Sequence, residues 1–190
     1  MYEVVAISKK HVDFTEREAE LIQREGKNLN ITIFQALPNK TATMEILIQK
    51  LVEIGINKVV FFRSDHSQLH EVPANKNTRI AAIAEEALEQ SGGNNPITII
   101  YKKDSLEKVF ESDDQHTQHI VGYPNIKNVL VLDKKCTWYA LWIWPEGGWS
   151  EEEEAFFKSK NATFWTFSNN TLRLETASIL GAGILAYLLE

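Results

Sequence analysis

From Ile31 onward the apolar positions fall into two alternating rhythms. Ile31 to Leu37 is a run closed by Pro38, and Lys58 to Phe62 (KVVFF) is continuously apolar. A continuous apolar run like the second suits a strand covered on both faces. Ile97 to Tyr101, Val129 to Leu132, Ala140 to Ile143 and Thr163 to Phe167 read the same way. Between them the spacing turns helical. Thr43 to Ile54 places Met44, Leu47, Ile48 and Leu51 on one face, and Gly55 follows as a stop. Asn77 to Gln90, Ser105 to Phe110, Ser150 to Lys158 and Arg173 to Leu189 complete the helices, while polar Glu111 to His119 reads as an exposed loop. Strands alternating with helices predict an α/β fold, a mainly parallel sheet with helices on both faces.

The first residues have a different character. Tyr2 to Phe14 alternates loosely, as a strand or short hairpin would, and Thr15 to Gly26 reads as a helix capped by Thr15 with Glu18 three residues on. The chain therefore divides into an N-terminal extension, residues 1–30, and a main domain, residues 31–190. Neither a signal-peptide pattern nor an apolar run of roughly 18 residues occurs, so a cytoplasmic protein without membrane contact is expected. The single cysteine, Cys136, excludes an internal disulfide. The net charge of -6 excludes a wholly basic surface, so any grip on nucleic acid needs a local patch or a partner.

Four segments could carry chemistry. Trp144-Pro145-Glu146-Gly147-Gly148-Trp149-Ser150 joins a strand to a helix, where ligands of open α/β sheets bind. It also reads as a plain turn into a helix capped by Ser150 and Glu153. Ser168 to Ala177 again joins strand to helix, and Arg173 there opposes the helix dipole, which suggests a partner or a function. Glu86 to Pro96 and Met44 to Gly55 read by themselves as a helix stop and a solvated helix face. No metal is expected: His66 and His70 lie four apart without a Cys or His cluster. Neither a Walker loop nor GxGxxG occurs. Five tryptophans, Trp138, Trp142, Trp144, Trp149 and Trp165, gather in the last third; such rings can stack on adenine or RNA bases, but more often are core or dimer contacts.

In this order the four segments resemble the RsmE family, the knotted SPOUT-class methyltransferases of uridine ring nitrogen 3 in small-subunit ribosomal RNA. The matching residues are Gln35-Ala36-Leu37-Pro38, Met44-Glu45, Ile48-Gln49-Lys50, Glu53-Ile54-Gly55, Glu86-Ala87, Glu89-Gln90-Ser91-Gly92, Pro145 to Ser150, Leu172-Arg173 and Glu175-Thr176-Ala177. The resemblance implies a C-terminal trefoil knot, S-adenosylmethionine as methyl donor, ribosomal RNA or the small ribosomal subunit as partner, and a homodimer packed near the C-terminal helix. Gly122, Trp144, Pro145, Glu146, Gly147, Gly148, Phe167, Ser168, Asn169, Leu172 and Thr176 would hold the cofactor. Arg173 and Glu175 would be catalytic, and Lys50, Gln90, Ser91 and Arg173 would meet RNA. The family's N-terminal PUA-like barrel is represented here only by residues 1–30.

The chain departs from the family pattern at named positions. Trp144 and Ser168 stand for glycines, and His66, Gly93 and Asn170 for arginines. Cofactor binding, resting on backbone groups, is expected to survive better than RNA binding, with the Trp144 indole turned away from the pocket. The alternative is a non-catalytic SPOUT-fold relative that binds cofactor or RNA as a dimer.

Overall fold

The computed structural model describes residues 2–7, 12–16, 29–69, 71–113, 117–124, 126 and 129–189. Strands β1 (Tyr2–Ile7) and β2 (Val12–Glu16) pair antiparallel as a separate ribbon, the hairpin form of the expected first element. Thr15 lies within β2 and caps no helix; the rest of the helix expected there falls outside the described residues.

The main domain contains β3 (Ile31–Ala36), α1 (Thr41–Ile54), β4 (Lys58–Phe62), α2 (Ala74–Ser91), β5 (Thr98–Tyr101) and α3 (Leu106–Glu111). It continues through β6 (Thr117–Gly122), β7 (Trp138–Ile143), α4 (Glu151–Ser159), β8 (Thr163–Trp165) and α5 (Leu174–Leu189). Six strands lie side by side as β5-β4-β3-β7-β6-β8, with every pairing parallel. Adjacent side chains of a strand point to opposite faces. Leu141 of β7 approaches Gly181 of α5, whereas its neighbour Trp142 packs on Phe110 of α3 and Phe157 of α4. Helices therefore cover both faces, and α1 packs on α2 and α5. This double cover is why β3, β4 and β7 are almost wholly buried.

Two expectations fail together. Part of the supposed loop 111–119 is the start of β6, an interior strand of the sheet. The supposed strand 129–132 is irregular and exposes Val129 and Val131 by 87% and 73%. Polarity misleads here because Gln118 and His119 of β6 find hydrogen-bond partners beside and within the sheet. The Gln118 amide donates to the Val131 carbonyl (2.9 Å) and accepts from the Asp133 amide (2.8 Å), pinning the irregular segment beside the strand. His119 accepts from the buried indole of Trp142.

Candidate functional site

Strand order departs from sequence order between β3 and β7, so the crevice beyond their carboxyl ends is where this fold class binds ligands. The turn after β7 fills that edge. The Gly148 amide donates to the Pro145 carbonyl at 2.9 Å, and Gly148 has φ 78°, a left-handed conformation that favours glycine. The amides of Glu146 and Gly147 have no partner among the described residues. Ser150 then caps α4 with the expected box: its Oγ accepts from the Glu153 amide (3.1 Å), and Glu153 Oε2 accepts from the Ser150 amide (2.9 Å).

The box is bolted to the loop after β4. Glu153 Oε1 accepts from Ser64 Oγ (2.6 Å) and from the Asp65 amide (3.2 Å), while Ser150 Oγ donates to Asp65 Oδ2 (2.6 Å). Burial raises the Glu153 carboxyl above the usual range, although its hydrogen-bond donors pull the other way. His66 follows directly, its Nδ1 3.0 Å from the Gly148 carbonyl oxygen. Gly147 makes room for it: a Cβ there would stand 2.8 Å from His66 Cβ. Glu146 Oε1 accepts from the Asn39 amide at 2.9 Å. The loops after β3, β4 and β7 thus form one hydrogen-bonded rim.

The other flank is aromatic. The Tyr123 amide donates to the Trp165 carbonyl, Thr166 Oγ1 donates to the Tyr123 carbonyl (2.6 Å), and the Trp149 indole donates to the Gly122 carbonyl (3.1 Å). Trp144 and Phe167 stack with centroids 6.0 Å apart and planes 16° apart. A Cβ on Gly122 would lie 2.6 Å from the Trp144 ring and 2.9 Å from Phe167; one on Gly181 would lie 3.0 Å from Phe167. The Trp144 indole, only 9% exposed, is therefore turned into the crevice, not away from it. Two glycines leave a slot there, and burying the large apolar ring in it is favourable.

The structure brings Gly122, Trp144 and Phe167 into contact, beside the turn of Pro145, Glu146, Gly147 and Gly148. Ser168, Asn169 and Leu172 lie in the loop between β8 and α5, and Thr176 is exposed in the first turn of α5. Arg173 is exposed, its carbonyl accepts from the Ala177 amide, and its side chain makes no ion pair with Glu175 or any other described residue. Lys50 is engaged by Glu53 at 2.8 Å, and Ser91 Oγ donates to the Leu88 carbonyl. Gln90 lines a groove of about 410 Å³ between α1 and α2 whose charged lining residues are Glu45, Glu53 and Glu86, a sign unsuited to phosphate. No group of three potential metal ligands occurs among the described residues. Four of the five tryptophans are buried within the chain, the core placement among those expected of them. Sequence reading gave Ser64, Asp65 and Gly181 no role. A serine-acid pair just past a buried strand, facing a capped helix, was the available clue for the first two.

The RNA methyltransferase domain family matches residues 25–186. A ribosomal RNA small subunit methyltransferase E 2 of Borreliella burgdorferi is 28% identical over 99% of this chain and 77% of its own length. A ribosomal RNA small subunit methyltransferase E of Aquifex aeolicus is 28% identical over 82% of this chain and 68% of its own. Among solved structures, a ribosomal RNA small subunit methyltransferase E of Neisseria gonorrhoeae bound to S-adenosyl methionine superposes with TM-score 0.73 at 25% identity, over 84% of this chain and 66% of that one. A Legionella pneumophila methyltransferase complex with SAM, 24% identical over 98% of this chain and 77% of that one, shares the fold with TM-score 0.76.

Proposed function

This chain belongs to the RNA methyltransferase domain family, and on that premise we propose that it transfers the methyl group of S-adenosylmethionine to a uridine ring nitrogen in small-subunit ribosomal RNA. The observation that carries this is the convergence of the turn 144–148, the β6 end at Gly122 and the loop residues Thr166 and Phe167 on one crevice, in a chain 28% identical along almost its whole length to a relative named as a ribosomal RNA small subunit methyltransferase.

The residues present fit such a cofactor. Gly122 and Gly181 leave a slot that two flat aromatic rings fill, and a purine is a flat ring system of similar kind. When bound, the cofactor supplies an electrophilic methyl on a sulfonium. The free amides of Glu146 and Gly147, and backbone groups of Trp144, Gly148, Phe167, Ser168, Asn169 and Leu172, would hold it, with Pro145 shaping the turn and Gly122 and Thr176 at the edges. The Trp144 indole would have to rotate out or stack on the incoming base. Arg173, unpaired and exposed at the start of α5, would position the RNA.

The same reading includes the trefoil knot and a homodimer. In its support, α5 returns against α1, β3 and β7 and exposes Leu180, Tyr187 and Leu188 along one stripe. Titration calorimetry with S-adenosylmethionine, followed by methyl transfer to small subunits carrying unmodified RNA, tests the proposal. Failure to bind the cofactor would overturn it. Binding without transfer would leave a non-catalytic relative.

A further inference from the structure

We propose that His66 is the general base that takes the proton from the target uridine nitrogen. The inference rests on the methyl-transfer reading above and assigns the step that reading leaves without a residue. A uridine ring nitrogen carries a hydrogen and is a poor nucleophile until it is removed.

The geometry of the rim selects the group. His66 Nδ1 lies 3.0 Å from the Gly148 carbonyl oxygen, which can only accept, so in the neutral ring Nδ1 carries the hydrogen. That leaves the lone pair on Nε2, which has no partner among the described residues, on an exposed side chain. The ring is held against Gly147, where nothing larger than glycine fits without displacing it. Packing and one hydrogen bond therefore fix both ring and tautomer on the turn assigned to the cofactor.

Competing carboxylates at this edge are each tied into the rim by at least one hydrogen bond. Glu153 is buried and accepts from Ser64, the Asp65 amide and the Ser150 amide. Asp65 accepts from Ser150, and Glu146 from the Asn39 amide. Arg173 is a cation and cannot take a proton. Glu175 sits on α5 with no contact to this rim among the described residues.

In the step itself, the uridine N–H proton passes to His66 Nε2. The nitrogen lone pair forms the new bond to the methyl carbon, and the carbon–sulfur bond breaks with its electron pair remaining on sulfur. The imidazolium then returns its proton to water. The charges balance without any further reactant.

The test has two arms. Nitrogen-15 NMR of the ring in the full chain, without cofactor or RNA, should show neutral His66 as the Nδ1–H tautomer; an Nε2–H tautomer overturns the assignment. In methyl transfer to small subunits carrying unmodified RNA, His66→Gln should lower kcat by about 10²–10⁴-fold. It should also abolish the acidic limb of the pH–rate profile, while calorimetric affinity for S-adenosylmethionine stays within about threefold. Added imidazole should partly restore His66→Ala. A His66→Gln enzyme that keeps its rate and acidic limb overturns the proposal, as does a limb lost instead in Glu175→Gln. A wild-type chain that binds cofactor but transfers nothing overturns it too. Absent cofactor binding would strike the methyl-transfer reading itself, which the tautomer measurement does not share.

Discussion

Acidification should destabilise this fold through one histidine inside the sheet. His119 of β6 stacks on Phe110 with centroids 3.9 Å apart, and its Nδ1 accepts from the Trp142 indole at 3.1 Å. Burial lowers its pKa from 6.5 to about 4. In the unfolded chain the imidazole takes up a proton as pH falls through 6.5, whereas the folded ring resists until about 4. Between these values the unfolded state binds more protons, so stability rises with pH across that window. The contribution is complete above the unfolded value and is lost progressively as pH falls through the window. A difference of that size corresponds to roughly 3 kcal/mol. Glu153 acts in the opposite sense. Its raised carboxyl contributes stability that is present below the unfolded value and lost as pH rises through the folded one.

Urea denaturation at several pH values between about 7 and 4.5 measures the net slope, and His119→Phe separates the histidine from Glu153. Phenylalanine keeps a flat ring against Phe110 but cannot titrate. It strands the indole N–H of Trp142, a residue with no solvent exposure, at a cost of about 1–3 kcal/mol near neutral pH. Wild type should therefore start more stable and converge on the variant as pH falls, with unchanged m-values. Parallel curves for the two proteins would refute the assignment of the slope to His119.

Other perturbations read the site directly. Trp144→Gly removes the ring that fills the slot beside Gly122 and should tighten S-adenosylmethionine binding by roughly tenfold or more, the worth of burying a large apolar side chain. Weaker binding by calorimetry would mean that the indole stacks on the cofactor. Ser150→Ala removes a helix cap and the hydrogen bond to Asp65, and should lower Tm by about 2–6 °C in a thermal melt. Leu180→Asp places a charge on the exposed apolar stripe of α5, and light scattering should find a monomer where wild type is a dimer. A wild-type monomer would remove the dimer from the proposal.

The sheet was legible where strands are apolar and helices carry a clean stripe. KVVFF is β4 without adjustment, and the Met44, Leu47, Ile48 and Leu51 stripe is the buried side of α1. The Ser150–Glu153 box also stands where it was read. Legibility failed at β6 because hydropathy counts Gln118 and His119 as solvent-seeking. Here they are half-buried on a strand inside the sheet: one brackets a neighbouring loop as a peptide group would, and the other accepts from a buried indole. The converse error at 129–132 has the same root. Exposed Val129 and Val131 look like a strand, but backbone pairing, which sequence hydropathy does not record, went to β6 instead.

The crevice was legible as a place but not as a set of contacts. Resemblance assigns positions: it locates the turn 144–148 and names Trp144 as a departure from glycine. It is silent on where a new side chain goes, because that depends on volume left by residues distant in sequence. Gly122 ends β6 and Gly181 sits mid-helix in α5, and only their joint absence of side chains creates room for the indole and Phe167. The same reasoning explains His66. Read as a lost arginine, it counts against RNA binding. In place, 82 residues from the carbonyl it bonds, it has what an arginine could not offer, a second ring nitrogen left without a partner among the described residues while the first is held by the Gly148 carbonyl. Replacing arginine by histidine at this rim therefore exchanges a permanent cation that attracts phosphate for a group that can accept a proton. A rim changed in that direction should bind RNA with a shallower salt dependence, by about one unit of slope per lost phosphate contact. Measuring the wild type beside His66→Arg decides the point: a steeper slope with a lower methyl-transfer rate is the expected pair of results, and a steeper slope with a higher rate would show that the cation, not the base, was what the site needed.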